Sequence, residues 1–344
     1  MRTTEAYDLA CVVHLHSTYS DGTGTVPEIA RAARASGVDV VLLTDHDSLE
    51  AKDRGEEGMH DGVLVLVGEE VSPRGGNHYL AFGIEREIRW GGMTPAQMCD
   101  AVREQGGFGF AAHPFSRGSE RFRRRAKGMP FRDLERADGI EVWSWVTDTA
   151  ERLPSLGAAA RFVTRPHLVV DHPPPENLAE WDRMCAKRRV PAIGGLDAHQ
   201  FGKRIAGRVP LKLMSYKRSF RHLRTRVLCE EVSEGAVYGA LREGHAYLAI
   251  DSLASARGFR FFAEGPAGAV AMGAEAPAGE YVIRAEVPRP AQLRLIRDGS
   301  ELARVDGRAL SYPAAGPGVY RLEARLRAHG AERTWIVSNP VYLR

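Results

Sequence analysis

Val40-Val-Leu-Leu-Thr-Asp-His-Asp47 packs an unbroken apolar run against a string of polar, metal-liking side chains. Four consecutive apolar residues without alternation describe a strand covered on both faces. The polar tetrad then falls at the strand's C-terminal end, which is the edge where barrels of parallel strands build their sites. The same order recurs in Val63-Leu-Val-Leu-Val-Gly-Glu-Glu70, in Phe108-Gly-Phe-Ala-Ala-His113 and in Ala192-Ile-Gly-Gly-Leu-Asp-Ala-His199. Strands are expected at 9–15, 38–44, 63–71, 78–84, 108–112, 140–144 and 191–196, with helical patterns between them, so the first part of the chain reads as α/β.

Helix starts are written in the same plain way. Thr25-Val-Pro-Glu28 and Thr94-Pro-Ala-Gln97 are capping boxes, and the helices they open stop near Gly37 and Gly106-Gly107. A third helix, 175–189, places Leu178, Trp181, Met184 and Cys185 on one face for packing. Past residue 252 the helical signals thin out, and strand-like runs follow at 259–262, 281–287, 293–297, 319–326 and 334–337. Asp298-Gly299 and Asp306-Gly307 read as hairpin turns and the Ala/Gly/Pro-rich stretch 263–279 as a loop. Two domains are therefore expected, an α/β unit over 1–252 and a small all-β, immunoglobulin-like sandwich over 253–344.

Composition narrows the function classes. Lys and Arg number 47 against 44 Asp and Glu, a formal net charge of +3 over 344 residues, which is too small for a nucleic-acid coat protein. Nucleic acid is thus expected only as a nucleotide-sized substrate. Cys11, Cys99, Cys185 and Cys229 are far apart and form no C-x-x-C pair, so reduced, buried thiols are expected. No apolar run approaches the roughly 18 to 20 residues of a membrane span, and the first residues lack a signal peptide's apolar core; a soluble, cytoplasmic protein with no membrane and no obligate protein partner is expected. A chain this long buries a large core unaided, so metal here would serve function.

The candidate chemistry gathers at the strand ends. In extended chain His14 and His16 point to one face, and Asp21 can return on the following loop as a hard oxygen ligand. His46 reads as a ligand with Asp45 as its hydrogen-bonding partner. Glu69 and Glu70 face opposite ways on a strand, so one points into the site and the other is expected to be a solvated acid. His78, His113, Asp197 and His199 complete the set, with Asp197 also able to accept a proton. Among nearby cations, Arg117, Arg74 and Lys203 are the candidates for an anionic substrate, and the run Arg121 to Lys127 is either a basic lip or a solvated face. His167 and His172 read as structural.

Together, H-x-H-S-x-x-S-D-G at His14 to Gly22, T-D-H at Thr44 to His46, G-x-E at Gly68 to Glu70, His78, A-H-P at Ala112 to Pro114 and D-A-H at Asp197 to His199 resemble the PHP (polymerase and histidinol phosphatase) metallohydrolases. The resemblance implies a distorted, TIM-like (β/α)7 barrel with two or three divalent ions, Zn, Mn or Fe. It implies a first ion on His14, His16, Glu70 and Asp197, a second on Glu70, His78 and His113, and a third on Asp21, His46 and His199. It selects Glu70 over Glu69 and makes Glu70 and Asp197 the catalytic carboxylates. The expected activity is metal-dependent hydrolysis of a small phosphorylated substrate by water activated between metals. Leu241-Arg-Glu-Gly-His-Ala-Tyr-Leu and Trp335-Ile-Val-Ser-Asn-Pro-Val-Tyr342 are similar to the carbaryl-hydrolase branch, whose implied alternative is carbamate or ester cleavage. A non-enzymatic binding module, with the sandwich recognising a partner, is the alternative of another class.

Overall fold

The computed structural model describes residues 7–119, 128–169, 172–205 and 209–344, with backbone alone at 167, 201–205 and 209–213. The first part runs β1 (Tyr7–Val13), α1 (Val26–Arg34), β2 (Val40–His46), α2 (Glu50–Asp53), β3 (Gly58–His60), β4 (Val63–Val71), β5 (Tyr79–Phe82), α3 (Pro95–Glu104) and β6 (Phe108–Ala111). It continues with β7 (Gly139–Ser144), α4 (Trp145–Glu151), α5 (Leu156–Thr164), α6 (Pro175–Cys185) and β8 (Ala192–Gly195). A hairpin of β9 (Phe201–Ile205) and β10 (Val209–Leu213) precedes α7 (Tyr216–Ser219), β11 (Leu223–Cys229), α8 (Glu234–Glu243) and β12 (Ala246–Ile250).

Both expected capping boxes form, at Thr25 with Glu28 and at Thr94 with Gln97. Apart from the β9–β10 hairpin, which pairs only with itself, the strands belong to one sheet. Leu9, Cys11, Val40, Leu42, Leu64 and Leu66 pack on one face with Phe82, Phe110 and α8, while Val12, Val41, Leu43, Val65 and Val67 pack on the other against α1, α3 and α6. Burial on both faces is what the unalternating apolar runs encode. The β1–β2, β2–β4, β6–β7 and β7–β8 pairs are parallel. By contrast β4–β5 and β5–β6 are antiparallel. The connection from Val71 to Tyr79 is too short for the dozen or so residues of a parallel crossover, so a regular β/α repeat is interrupted there. Beyond β8, the Leu196 N–H donates to the Val13 carbonyl (2.9 Å) and the His16 N–H to the Ala198 carbonyl (3.0 Å). These bonds bring the ends of β1 and β8 side by side.

The C-terminal region is strand-rich: β13 (Arg260–Gly265), β14 (Gly268–Ala271), β15 (Glu275–Ala276), β16 (Glu280–Arg297), β17 (Ser300–Ala315), β18 (Gly318–Ala328), β19 (Ala331–Ser338) and β20 (Val341–Leu343). Three expectations are corrected here. The runs 281–287 and 293–297 are one strand, β16, with an irregularity between Glu286 and Ala291 where Pro288 and Pro290 cannot donate to the ladder. Asp306-Gly307 lies inside β17, opposite Gln292 and Ala291, while Asp298-Gly299 does turn, both residues at positive φ. The expected loop 263–279 contains β14 and β15.

This region has its own core, around Phe261, Leu293, Leu295, Leu322 and Trp335, yet it shares the sheet, because β12 pairs antiparallel with β19. Asn339 fastens the junction. Its Oδ1 accepts from the Ala192 N–H (2.8 Å), and its Nδ2 donates to the carbonyls of Ala192 (3.0 Å) and Ala246 (2.8 Å), all buried. Removing an amide that satisfies three buried backbone groups is costly. Asn339→Ala is expected to lower stability by about 2–3 kcal/mol, read as a lower urea midpoint at an unchanged slope; a loss below about 0.5 kcal/mol would show that the junction does not depend on this side chain.

Candidate metal centre

Every strand end named in the sequence delivers its side chains to one place. His14, His16, Asp21, His46, Glu70, His78, His113, Asp197 and His199 form overlapping groups whose ligand atoms lie within 4.8 Å of one another. The backbone departs from extended chain to do this. His14 (φ 62°), His113 (φ 30°) and Asp197 (φ 50°) occupy left-handed conformations that non-glycine residues rarely adopt. The convergence of His14 with His16, and of Asp197 with His199, therefore arises from a turned backbone rather than from strand alternation.

Glu70 lies at the centre, 1% exposed. Its Oε2 is 3.3 Å from both His14 Nε2 and His16 Nε2, and its Oε1 is 2.8 Å from His78 Nδ1 and 3.3 Å from His113 Nε2. Asp197 Oδ1 is 3.6 Å from His14 Nε2 and 3.4 Å from His16 Nε2. On the outer side, Asp21 Oδ1 is 3.1 Å from His199 Nε2 and 3.7 Å from His46 Nε2, and the His16 ring is stacked between those of His46 and His199. Donor atoms each about 2.1 Å from a tetrahedral ion stand about 3.4 Å apart, close to these spacings. Buried His14 Nε2, His16 Nε2 and Glu70 Oε2, the atoms that face one another, also have no hydrogen-bond partner among the described residues, an expensive arrangement unless a cation takes their lone pairs. The donor set fits divalent metal ions.

The surrounding groups fix which nitrogen is offered. Glu141 Oε1 lies 2.8 Å from His14 Nδ1, which must be the protonated nitrogen, so Nε2 faces Glu70 and Asp197 with its lone pair. The Ser72 hydroxyl donates to the Glu70 carbonyl and accepts from His46 Nδ1 (2.7 Å), with the same result for His46 Nε2. His199 Nδ1 donates to the Asp197 carbonyl at 3.1 Å. Thr147 donates its hydroxyl to Asp197 Oδ2 and leaves Oδ1 for the histidines. Sequence reasoning singles out neither Glu141 nor Thr147; a lone acid within the buried strand Gly139–Ser144 is the available signal for the first.

Two expectations fail. Asp45 does not pair with His46: its carboxylate accepts from the Ser17 N–H, the Ser17 hydroxyl and the Ser20 hydroxyl, because adjacent residues of β2 point opposite ways and Asp45 meets the loop after His16. Glu69 is not solvated; it is fully buried, with Oε2 accepting from the Ile88 N–H (2.9 Å) and Oε1 without a partner among the described residues. Burial raises the Glu69 carboxyl to about 8. Burial also opposes charge on Glu70, yet His14, His113 and His78 hold its carboxyl well below the usual range. Burial alone would lower His113, but the Glu70 carboxylate lifts it to about 9. His16 falls to about 3 through burial. Among the candidate substrate cations, Arg74 and Arg117 are exposed on loops adjoining ligand-bearing segments and form no ion pair among the described residues. The Lys203 and His167 side chains and residues 121–127 lie outside the described residues.

Residues 13–117 match the PHP domain family model. An uncharacterized protein of Methanocaldococcus jannaschii is 28% identical over 147 residues, 38% of this chain and 80% of that protein. A phosphoribosyl 1,2-cyclic phosphate 1,2-diphosphodiesterase of Eggerthella lenta is 33% identical over 99 residues, 27% of this chain and 36% of that enzyme. A crystal structure of a two-domain Bacteroides vulgatus protein containing a predicted PHP-like metal-dependent phosphoesterase aligns over 97% of this chain and 96% of that one, at 16% identity and a TM-score of 0.46. Residues 13–117 are thus similar to a PHP domain, and the histidine and carboxylate groups gathered there and at Asp197 and His199 could hold metal ions. Among the described residues no helix is long and apolar enough to cross a membrane.

Two outcomes are expected. Glu141→Gln keeps the shape but loses the charge behind His14, and metal affinity, titrated calorimetrically, should weaken about 10- to 100-fold; unchanged affinity would show that Glu141 does not tune the centre. Glu69 has a folded value raised above its ordinary one, so its contribution to stability is lost as pH rises from about 4.5 toward about 8. Glu69→Gln should therefore gain stability over the parent at pH 9 and little at pH 4, by urea denaturation at each pH; equal differences at both would contradict the buried-acid assignment.

Proposed function

We propose that the protein is a phosphoesterase acting on a small anionic phosphorylated substrate, with divalent ions held in three adjoining positions. His14, His16, Glu70 and Asp197 would hold the first, Glu70, His78 and His113 the second, and Asp21, His46 and His199 the third. One observation carries this reading: the two oxygens of buried Glu70 face different imidazoles, Oε2 those of His14, His16 and His46 and Oε1 those of His78 and His113, the disposition of a carboxylate shared by neighbouring cations. Zn, Mn or Fe ions bound there supply Lewis acidity and lower the pKa of water toward neutrality.

The chain's own groups do the positioning. Glu141, Ser72 and the Asp197 carbonyl each hold an imidazole N–H and so aim the opposite nitrogen inward. Because Thr147 occupies Oδ2 of Asp197, the free oxygen is turned to His14 and His16, which favours ligation over proton transfer for this carboxylate. Arg74 and Arg117 have the exposure to meet a phosphate, and Lys203 belongs with them as a candidate. The likeness to a cyclic-phosphate diphosphodiesterase of Eggerthella lenta supports phosphoester chemistry. We read residues 1–252 as a distorted β/α barrel and 253–344 as a β-sandwich. The segment suggesting carbamate cleavage is committed to packing: the Trp335 indole donates to the Ala254 carbonyl (2.8 Å) and the Tyr342 hydroxyl accepts from the Val190 N–H (3.0 Å).

Reloaded separately with Mn, Zn and Fe, the protein should cleave p-nitrophenyl phosphate or its diester and leave aryl carbamates and acetates intact; the reverse selectivity would overturn the phosphoesterase reading. Glu70→Gln should cut kcat/KM by more than about 100-fold while Glu69→Gln, at neutral pH, changes it by less than about threefold. Equal losses would put the wrong glutamate in the centre.

A further inference from the structure

Away from the metal cluster lies a cavity of about 920 Å3, between the end of α1, the end of α5, α7, β11 and the turn after β12, and none of its lining residues belongs to the cluster. Its wall carries Lys217, Arg218, Arg221, Arg224, Arg226 and Arg257 against one acid, Asp251, in a chain whose whole formal charge is only +3. Three of these cations are architectural. Arg224 donates to Asp251 (2.9 Å), Arg226 to Asp8 (2.8 Å), and Arg218 to the carbonyls of Val163 (2.7 Å) and Thr164 (2.9 Å). Like charges held together this way cost energy, and a single carboxylate shared between Arg224 and Arg226 offsets part of it.

The remaining cations are not used to hold the fold. Lys217 and Arg221 are exposed, and their side chains have no ion pair or hydrogen bond among the described residues; Arg257, also exposed, stands 3.7 Å from Asp39. They ring a cavity of small-molecule size whose floor is two buried guanidinium groups. From this the geometry points to a second binding site, for a multiply charged phosphate anion such as a polyphosphate chain, separate from the hydrolytic centre. Fixed arginines supply the field, and the exposed Lys217 and Arg221 close on the ligand through charge-assisted hydrogen bonds. The site does not rest on the phosphoesterase reading.

Calorimetric titration of the full-length protein with sodium tripolyphosphate in about 0.1 M salt, where exposed charges are largely screened, tests it. Binding is expected in the parent, to persist in Glu70→Gln, and to weaken about tenfold or more in Lys217→Ala/Arg221→Ala. That pair lies outside the metal cluster and makes no fold-holding contact, so its urea midpoint and slope should match the parent's and report intact folding. Arg304→Ala/Arg327→Ala, exposed on the C-terminal strands, removes the same charge elsewhere and should leave affinity unchanged. Absence of binding in the parent, loss of binding in Glu70→Gln, or equal weakening in the two double variants would each overturn the proposal.

Discussion

A carboxylate almost sealed from water is tolerable only where positive charge stands beside it, and Glu70 is such a group, with imidazole nitrogens of His14, His16, His46, His78 and His113 arranged around its two oxygens. Lone pairs facing lone pairs repel, so this pocket requires protons or cations between its atoms. The upward displacement of His14 and His113 is the protonic answer to that requirement. Divalent ions answer it better, since each satisfies several donors at once, and their binding would displace those protons. The neighbouring devices follow from the same need. Glu141 and Ser72 fix the histidine tautomers, and Asp45, by tying down Ser17 and Ser20, keeps the loop carrying Asp21 beside His16 and His199.

Much of this is legible in residue order. Strands buried on both faces leave a conspicuous apolar run, and the polar residues that follow each run mark the sheet edge, so the segments carrying His46, Glu70, His113 and Asp197 can be placed together from sequence. Capping boxes are local chemistry, which is why Thr25 and Thr94 act where the sequence puts them. What fails to show depends on neighbours distant in the chain. Whether Glu69 meets water or the packing around Ile88, and whether Asp45 reaches His46 or Ser17, is decided by which segment crosses overhead. Glu141 sits 127 residues from His14, with no motif linking them.

Backbone turns are equally hidden. H-x-H and D-x-H suggest extended chain, whereas His14, Asp197 and His113 stand in left-handed conformations more often taken by glycine or asparagine. Such strain persists when the surroundings over-determine it. Here the bonds joining the segment after β8 to the segment after β1 do so, together with the Glu141 carboxylate, whose second oxygen accepts from the His113 N–H at 2.7 Å. One side chain thus holds the ring of His14 and the main chain of His113.

The pairing of β12 with β19 bears on how this chain could be cut or recombined. Truncation after residue 252 would leave β12 with a bare row of amides and carbonyls, an invitation to self-assembly through strand addition. It would also strip Ala192, at the start of a ligand-bearing strand, of the amide that pairs its N–H and carbonyl. For the engineer wishing to graft the metal-ligand half onto another partner, the usable seam therefore lies elsewhere: the C-terminal strands travel with it as its edge protection.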